Sequence, residues 1–318
     1  MSEFVRIEKV ALQYQPTIFQ PPIPISKMRS NCTAADGTTV NHWQDTWLKN
    51  IKANYERFGS FKEHSVSKLF KAHEYQSCVV AGSGPSLKYN AKELKNRRNM
   101  PLVSCLHNFH YFEDLGLEPE YYCTLDAGKI TVPEVSEGGS KTPEEYWEIS
   151  KNRKLIAYIG TDPELLEKWQ GEIYLFNCPT PSTDLDHKID ELEKFNHYLS
   201  TGGNVLGACL YFAKAILGCY TTVMIGADFS FGYPEVDDNK PTHRFHSWES
   251  SYDKDMGKTV RVTDVFGNKV HTWGSYLGFK NFFDWCACSV PGLYINASEG
   301  GCMGAYNEGN IAAFRYMT

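Results

Sequence analysis

The stretch SCVVAGSGPSL, residues 77–87, decides how the chain is read. Five residues rich in β-branched and apolar side chains run directly into two glycines and a proline, followed by a helical stretch. A short apolar run that ends in a Gly-rich turn marks a buried strand feeding a helix. Outward from it the pattern repeats, with apolar runs at 101–105 (PLVSC), 121–125 (YYCTL), 154–159 (KLIAYI), 172–176 (EIYLF), 221–226 (TTVMIG) and 292–295 (GLYI). Runs apolar on both faces and separated by helix-length segments belong to parallel strands covered on each side. The expected fold is therefore α/β, a Rossmann-like, mostly parallel sheet with helices on both faces. A helix predicted over 203–217 (GNVLGACLYFAKAIL) is apolar nearly all round and should lie centrally.

Before residue 77 the texture differs. Prolines at 16, 21, 22 and 24 favour an extended arm, whereas Trp43, Trp47, Ile51, Tyr55 and Phe58 recur every three or four residues. That spacing predicts a helical N-terminal segment with one aromatic face, and such a stripe is usually core. Two units are expected, an arm with helical lead-in over 1–75 and a nucleotide-binding domain over 76–318. The polar stretch 232–260 is the one long break.

Composition narrows the function. The chain has 318 residues, of which 42% are hydrophobic, and a formal net charge of -6. No apolar run is long enough for a bilayer span and the first ten residues carry charges where a signal peptide would be apolar, so a soluble, cytoplasmic protein is expected. Lys and Arg total 10 against 7 Asp and Glu over 1–75, 13 against 20 over 76–200, and 9 against 11 over 201–318. With no basic field, a nucleic-acid partner is not expected. An anionic ligand would need backbone amides, helix N-termini or a metal. The ten cysteines sit mostly in apolar runs and lack C-x-x-C spacing, which predicts buried thiols.

Candidate site residues cluster where strands end. Gly82, Ser83, Gly84 and Ser86 form a turn whose backbone can approach phosphate, although neither the third glycine of a dinucleotide fingerprint nor a P-loop lysine follows. A plain tight turn is the alternative. Ser200, Thr201, Gly202, Gly203 and Asn204 open the predicted central helix with capping groups and unpaired amides. Asp126 and Asp228 end strands on the side where open α/β sheets bind ligands. His243 and His246 lie in a polar loop suited to proton transfer. Asn296, Ser298 and Glu299 follow the last strand and are further ligand-edge candidates.

In order and combination these segments resemble the Maf-type motility accessory factors and the MptE-like family of 6-hydroxymethylpterin diphosphokinases. The blocks are CVVAGSGPSL (78–87), YYCTLDAG (121–128), STGGNVLGACLYFAKAILGCYTTVMIGADFSF (200–231), and DVFGNKVHTW with YINASEGG (264–273 and 294–301). The last pair looks more like the flagellin-modifying Maf branch. That branch implies a transferase moving a sialic-acid-like nonulosonic sugar from a CMP-activated donor to a hydroxyl of a protein or small molecule. A more distant likeness to small bacterial sialyltransferases adds Asn108, ahead of Tyr111, Phe112, Glu113 and Asp114, as a nucleotide or sugar contact. It also implies a histidine base in KPTHRFHS, His246 before His243. Ser83 stands where those enzymes have asparagine, and no arginine precedes Ser200. The diphosphokinase branch would instead imply Mg²⁺, held by carboxylates such as Asp126 and Asp228. A non-catalytic nucleotide-binding protein of this fold is the third alternative.

Overall fold

The computed structural model describes residues 34–231, 259–303 and 315–316. The seven expected strands are β1 (Ser77–Ala81), β2 (Leu102–Cys105), β3 (Tyr121–Thr124), β4 (Lys154–Tyr158), β5 (Glu172–Phe176), β6 (Thr221–Ile225) and, after the hairpin β7 (Thr259–Thr263) and β8 (Lys269–Trp273), β9 (Leu293–Asn296). A two-residue strand, β10 (Arg315–Tyr316), completes the edge. The eight strands other than the hairpin form one sheet in the order β10-β9-β6-β1-β2-β3-β4-β5, parallel throughout. The hairpin pairs only with itself, antiparallel.

Alternation within β1 shows why the runs are apolar on both faces. Cys78 and Val80 join one buried cluster, while Val79 and Ala81 join another with Leu102 and Ile225. Helices fill both sides: α1 (Ala34–Phe58), α2 (Leu87–Asn90), α3 (Phe109–Asp114), α4 (Thr131–Glu134), α5 (Pro143–Ser150), α6 (Pro163–Lys168), α7 (Thr183–Leu192), α8 (Val205–Tyr211) and α9 (Gly274–Ser289). Of the predicted central helix, α8 is the α-helical part, and a π-helical turn, Phe212–Ile216, continues it. That turn buries Lys214, whose Nζ donates to the carbonyls of Cys219 and Tyr220 and stands 4.3 Å from the Tyr294 ring centre. Burial holds its pKa down at about 8.

The lead-in helix is tied to the sheet by two amides one turn apart. Asn50 Nδ2 donates to the carbonyls of Ala127 and Gly160, and Asn54 Nδ2 to those of Ile159 and Thr161. Both side chains are buried, so these bonds fix α1 against the loops that follow β3 and β4. That puts the helix beside the C-terminal edge of the sheet, the edge that binds ligands in open α/β folds. The proline-rich arm and the candidate bases His243 and His246 lie outside the described residues. Seven described cysteines are buried and Cys178 is half-buried, all free, as the apolar context predicts.

Candidate functional site

Sheet order reverses at β1, whose neighbours are β2 on one side and β6 on the other. The crevice at such a switch point is where this architecture places ligands. Here it is bounded by the turn after β1 and the G-A-D-F turn after β6. The two turns are in direct backbone contact: Gly82 N donates to Ile225 O at 2.9 Å and Gly84 N to Gly226 O at 2.8 Å. A Cβ on Gly82 would lie 2.4 Å from Gly226 O, and one on Gly84 would lie 2.0 Å from Asp228 Oδ2. The glycines are thus required by the contact between the two turns, independently of any ligand.

Asp228 braces this junction. Ser86 N donates to its Oδ1 at 3.2 Å and Ser86 Oγ to its Oδ2 at 2.8 Å. Burial pushes its carboxyl up to about 7, against the pull of the Ser86 hydroxyl and amide. Because folding raises this acid above its ordinary value of 3.8, its contribution to stability is greatest below pH 4 and is lost as pH rises towards 7. Asp228→Asn keeps an acceptor for the Ser86 amide and cannot ionise. Its melting temperature relative to the unsubstituted protein should therefore rise between pH 5 and pH 8. A constant difference across that range would refute the burial account.

A cavity of about 300 Å³ opens in front of these turns. Of the predicted residues, Ser83, Gly84, Asp126, Asn204 and Asp228 line it. Ser83 makes no hydrogen bond among the described residues, whereas its neighbours in the turn are engaged. Asn204 is the cap of α8, its Oδ1 accepting from Gly207 N at 2.8 Å. The amides of Val205 and Leu206 have no acceptor among the described residues, and both residues line the cavity. Thr201 and Gly203 instead line a second lobe of about 210 Å³, which shares Asp126, Asn204 and Val205 with the first.

The other predicted residues among those described line neither lobe. Asn108 is fully buried, its Nδ2 donating to Gly82 O at 2.9 Å and Ser104 Oγ at 3.0 Å, so it supports the turn from beneath, while its Oδ1 has no hydrogen-bond partner among the described residues. Ser86 braces Asp228. Gly202 adopts a left-handed conformation against Phe282, where a Cβ would lie 2.2 Å from the ring, and Ser200 is buried. Asn296 Nδ2 donates to Met303 O and its Oδ1 accepts from Ser298 N, while Ser298 Oγ accepts from Ala227 N. These residues stitch the β9 loop to the β6 loop, and Glu299 points to solvent. The acidic pair after Asn108 is structural as well. Glu113 takes both arms of Arg153 at 2.8 Å, and Asp114 takes Lys141, Tyr146 and Ser140.

Several lining residues carried no sequence signal. His107, just beyond β2, places Nδ1 3.4 Å from Glu134 Oε2 of α4, and both line the first lobe. Phe229 holds a left-handed conformation, φ 48°, uncommon for a residue with a Cβ. Its carbonyl accepts from Thr272 Oγ1 and Cys302 Sγ, and its ring packs against Phe283. The β8 strand and the last loop therefore hold the β6 turn in that shape.

A family model described as 6-hydroxymethylpterin diphosphokinase MptE-like matches residues 45–234, which contain both glycine turns and most of the cavity wall. The chain belongs to the MptE-like family. Among solved structures, this MptE-like protein is similar to the MAf glycosyltransferase from Magnetospirillum magneticum AMB-1, with a TM-score of 0.59 and 16% identity. The match covers 86% of this chain and 38% of that one, so the MptE-like protein spans well under half of the larger chain's length. At that identity the likeness establishes the shared fold. No curated protein sequence matches the chain. No described helix of the MptE-like protein is long and apolar enough to cross a membrane.

Proposed function

We propose that the chain is a transferase that moves a sialic-acid-like nonulosonic sugar from a CMP-activated donor to a hydroxyl acceptor. One observation carries the reading. At the switch point, a cavity faces Ser83 and the first two amides of α8, all without hydrogen-bond partners among the described residues. Donors of this kind hold a phosphate without requiring a cation, which suits an acidic chain. The nucleotide would occupy the first lobe, with Asp126 and Asn204 at its junction with the second. Its base would be His246, the residue that the sialyltransferase likeness implies, or His107 backed by Glu134 within the described cavity.

The diphosphokinase reading is favoured by the family description, and it depends on Mg²⁺. Of the two carboxylates that would hold the ion, Asp228 has both oxygens accepting from Ser86, and Asp126 borders both lobes.

Thermal shift with CMP, CDP, CMP-sialic acid and ATP with Mg²⁺ tests both readings. A ligand at a hundred times its Kd stabilises the folded state by about 2.7 kcal/mol, a readily measured shift. CMP and its sugar conjugate should raise the melting temperature. A response to ATP with Mg²⁺ alone would overturn sugar transfer, and no response at all would favour a non-catalytic protein.

A further inference from the structure

Three cysteines from three elements meet under the first lobe. Cys105 ends β2, Cys123 lies beside it in register on β3, and Cys209 comes from α8, packed over both strands in the same buried cluster. Cys105 Sγ stands 4.0 Å from Cys209 Sγ, and Cys123 also reaches the Cys209 thiol. A buried thiol by itself reads as a small apolar filler. This group differs because Cys105 and Cys123 line the cavity, whereas the buried Cys78, Cys219, Cys286 and Cys302 line neither lobe. Cys209 is fully sealed, while Cys105 keeps 6% of its surface exposed. A small solute in the cavity therefore meets Cys105 first, with a second sulfur directly behind it.

The position of the pair ties its chemistry to the lobe. Bonded sulfurs lie about 2.05 Å apart, so joining Cys105 to Cys209 means closing a gap of about 2 Å by turning the side chains and drawing α8 towards β2. The cap of α8, Asn204, and its first two residues, Val205 and Leu206, line the cavity. Packed interiors transmit such displacements, so the ligand wall moves with the helix. Burial holds the Cys209 thiol well above its ordinary pKa, which suits it to answer an oxidised Cys105 and not to start the reaction.

We infer that Cys105 is an oxidation site for hydrogen peroxide, resolved by Cys209 to a disulfide that closes the first lobe to its ligand. In the first step the Cys105 sulfur attacks one peroxide oxygen and the O–O bond breaks. The sulfur keeps a hydroxyl as sulfenic acid, and the thiol proton leaves with the other oxygen as water. In the second, the Cys209 sulfur attacks the sulfenic sulfur, the S–O bond breaks, and the hydroxyl leaves with the Cys209 proton as a second water. The two thiols together lose the two electrons that peroxide takes up. Loss of nucleotide binding rests on the proposed CMP seat in the first lobe, whereas the disulfide itself does not.

Graded hydrogen peroxide on the full chain, with and without saturating CMP, tests the assignment. Free thiols are then blocked with an alkylating agent, and peptides are mapped by mass spectrometry without reduction. A Cys105–Cys209 linked peptide, lighter by two hydrogens than its parts, should form, and CMP should slow its appearance. Oxidised protein should bind CMP about tenfold or more weakly by calorimetry, with affinity restored by dithiothreitol. Cys209→Ala should stop at sulfenic acid on Cys105, trapped by dimedone, and Cys105→Ser should keep its CMP affinity through the same treatment. Circular dichroism checks that each variant folds. Absence of the linked peptide at every dose short of unfolding would overturn the site. So would unchanged CMP affinity in the linked protein, or an equal loss of affinity in Cys105→Ser. If the linked peptide forms but CMP binds neither form, the donor assignment falls and the oxidation site stands.

Discussion

Gly84→Ala is expected to destabilise the fold by about 3 kcal/mol or more and to abolish CMP binding, because the added methyl group has nowhere to go. Its Cβ would sit 2.0 Å from Asp228 Oδ2 and 2.7 Å from Gly226 O. Neither neighbour is the loose end of a flexible side chain. Asp228 is fastened through both oxygens to Ser86, and the Gly226 carbonyl accepts the Gly84 amide itself at 2.8 Å. Relief therefore requires the two turns to part, which breaks buried hydrogen bonds and carries Ser83 away from the cavity. Gly278→Ala provides the contrast, since a Cβ there meets nothing within 4 Å and the position lies inside α9. Helix propensity alone predicts a gain of up to about 1 kcal/mol at that site. Urea unfolding and CMP calorimetry on both variants decide the matter. Normal stability and normal CMP affinity in Gly84→Ala would mean that the turn after β1 is not the nucleotide seat.

The sheet was legible because a parallel strand covered on both faces has to be a short, continuous apolar run, and SCVVA, LVSC, YYCT and TTVMI are such runs. The β7–β8 hairpin was missed for the converse reason. Its strands, TVRVT and KVHTW, mix polar and apolar residues, and they follow a stretch that carries no periodic signal. Site residues were legible only by position. The ends of β1, β3 and β6 pointed to Ser83, Asp126 and Asp228, which the structure places on the cavity wall, since strand termini are fixed by the fold. Residue type could not reveal direction: Asn296 and Ser298 carry ligand-binding chemistry but spend it on neighbouring loops, and Asn108 gives its amide donor to the turn after β1. The end of β2 obeys the same positional rule and would have pointed to His107, whereas Glu134 comes from a four-residue helix without a sequence signature. Trp43 and Trp47 show a further limit. Helical spacing places them on the buried face, and only the tilt set by Asn50 and Asn54 decides that this end of the face borders a cavity.

The identity of the base sets the second large effect. If His246 takes the acceptor proton, His246→Ala should lower kcat by about 10² to 10⁴ while CMP affinity is kept, and His107→Gln should cost less than tenfold. The distinction is informative because the two histidines come from different parts of the chain. His107 belongs to the described wall of the cavity, where Glu134 Oε2 stands 3.4 Å from Nδ1. A base mounted there would be positioned before the acceptor arrives. His246 belongs to the polar stretch of sequence that follows β6 and lies outside the described residues. The pH dependence of kcat separates the roles further. Removing the true base should abolish the acid limb of the profile, whereas removing a residue that only shapes the cavity should lower the whole curve and leave its limbs in place. A large loss with a missing acid limb in His107→Gln, and a normal profile in His246→Ala, would transfer the proton-accepting role to the His107–Glu134 pair. The sialyltransferase likeness would then extend to the glycine turns but not to the base.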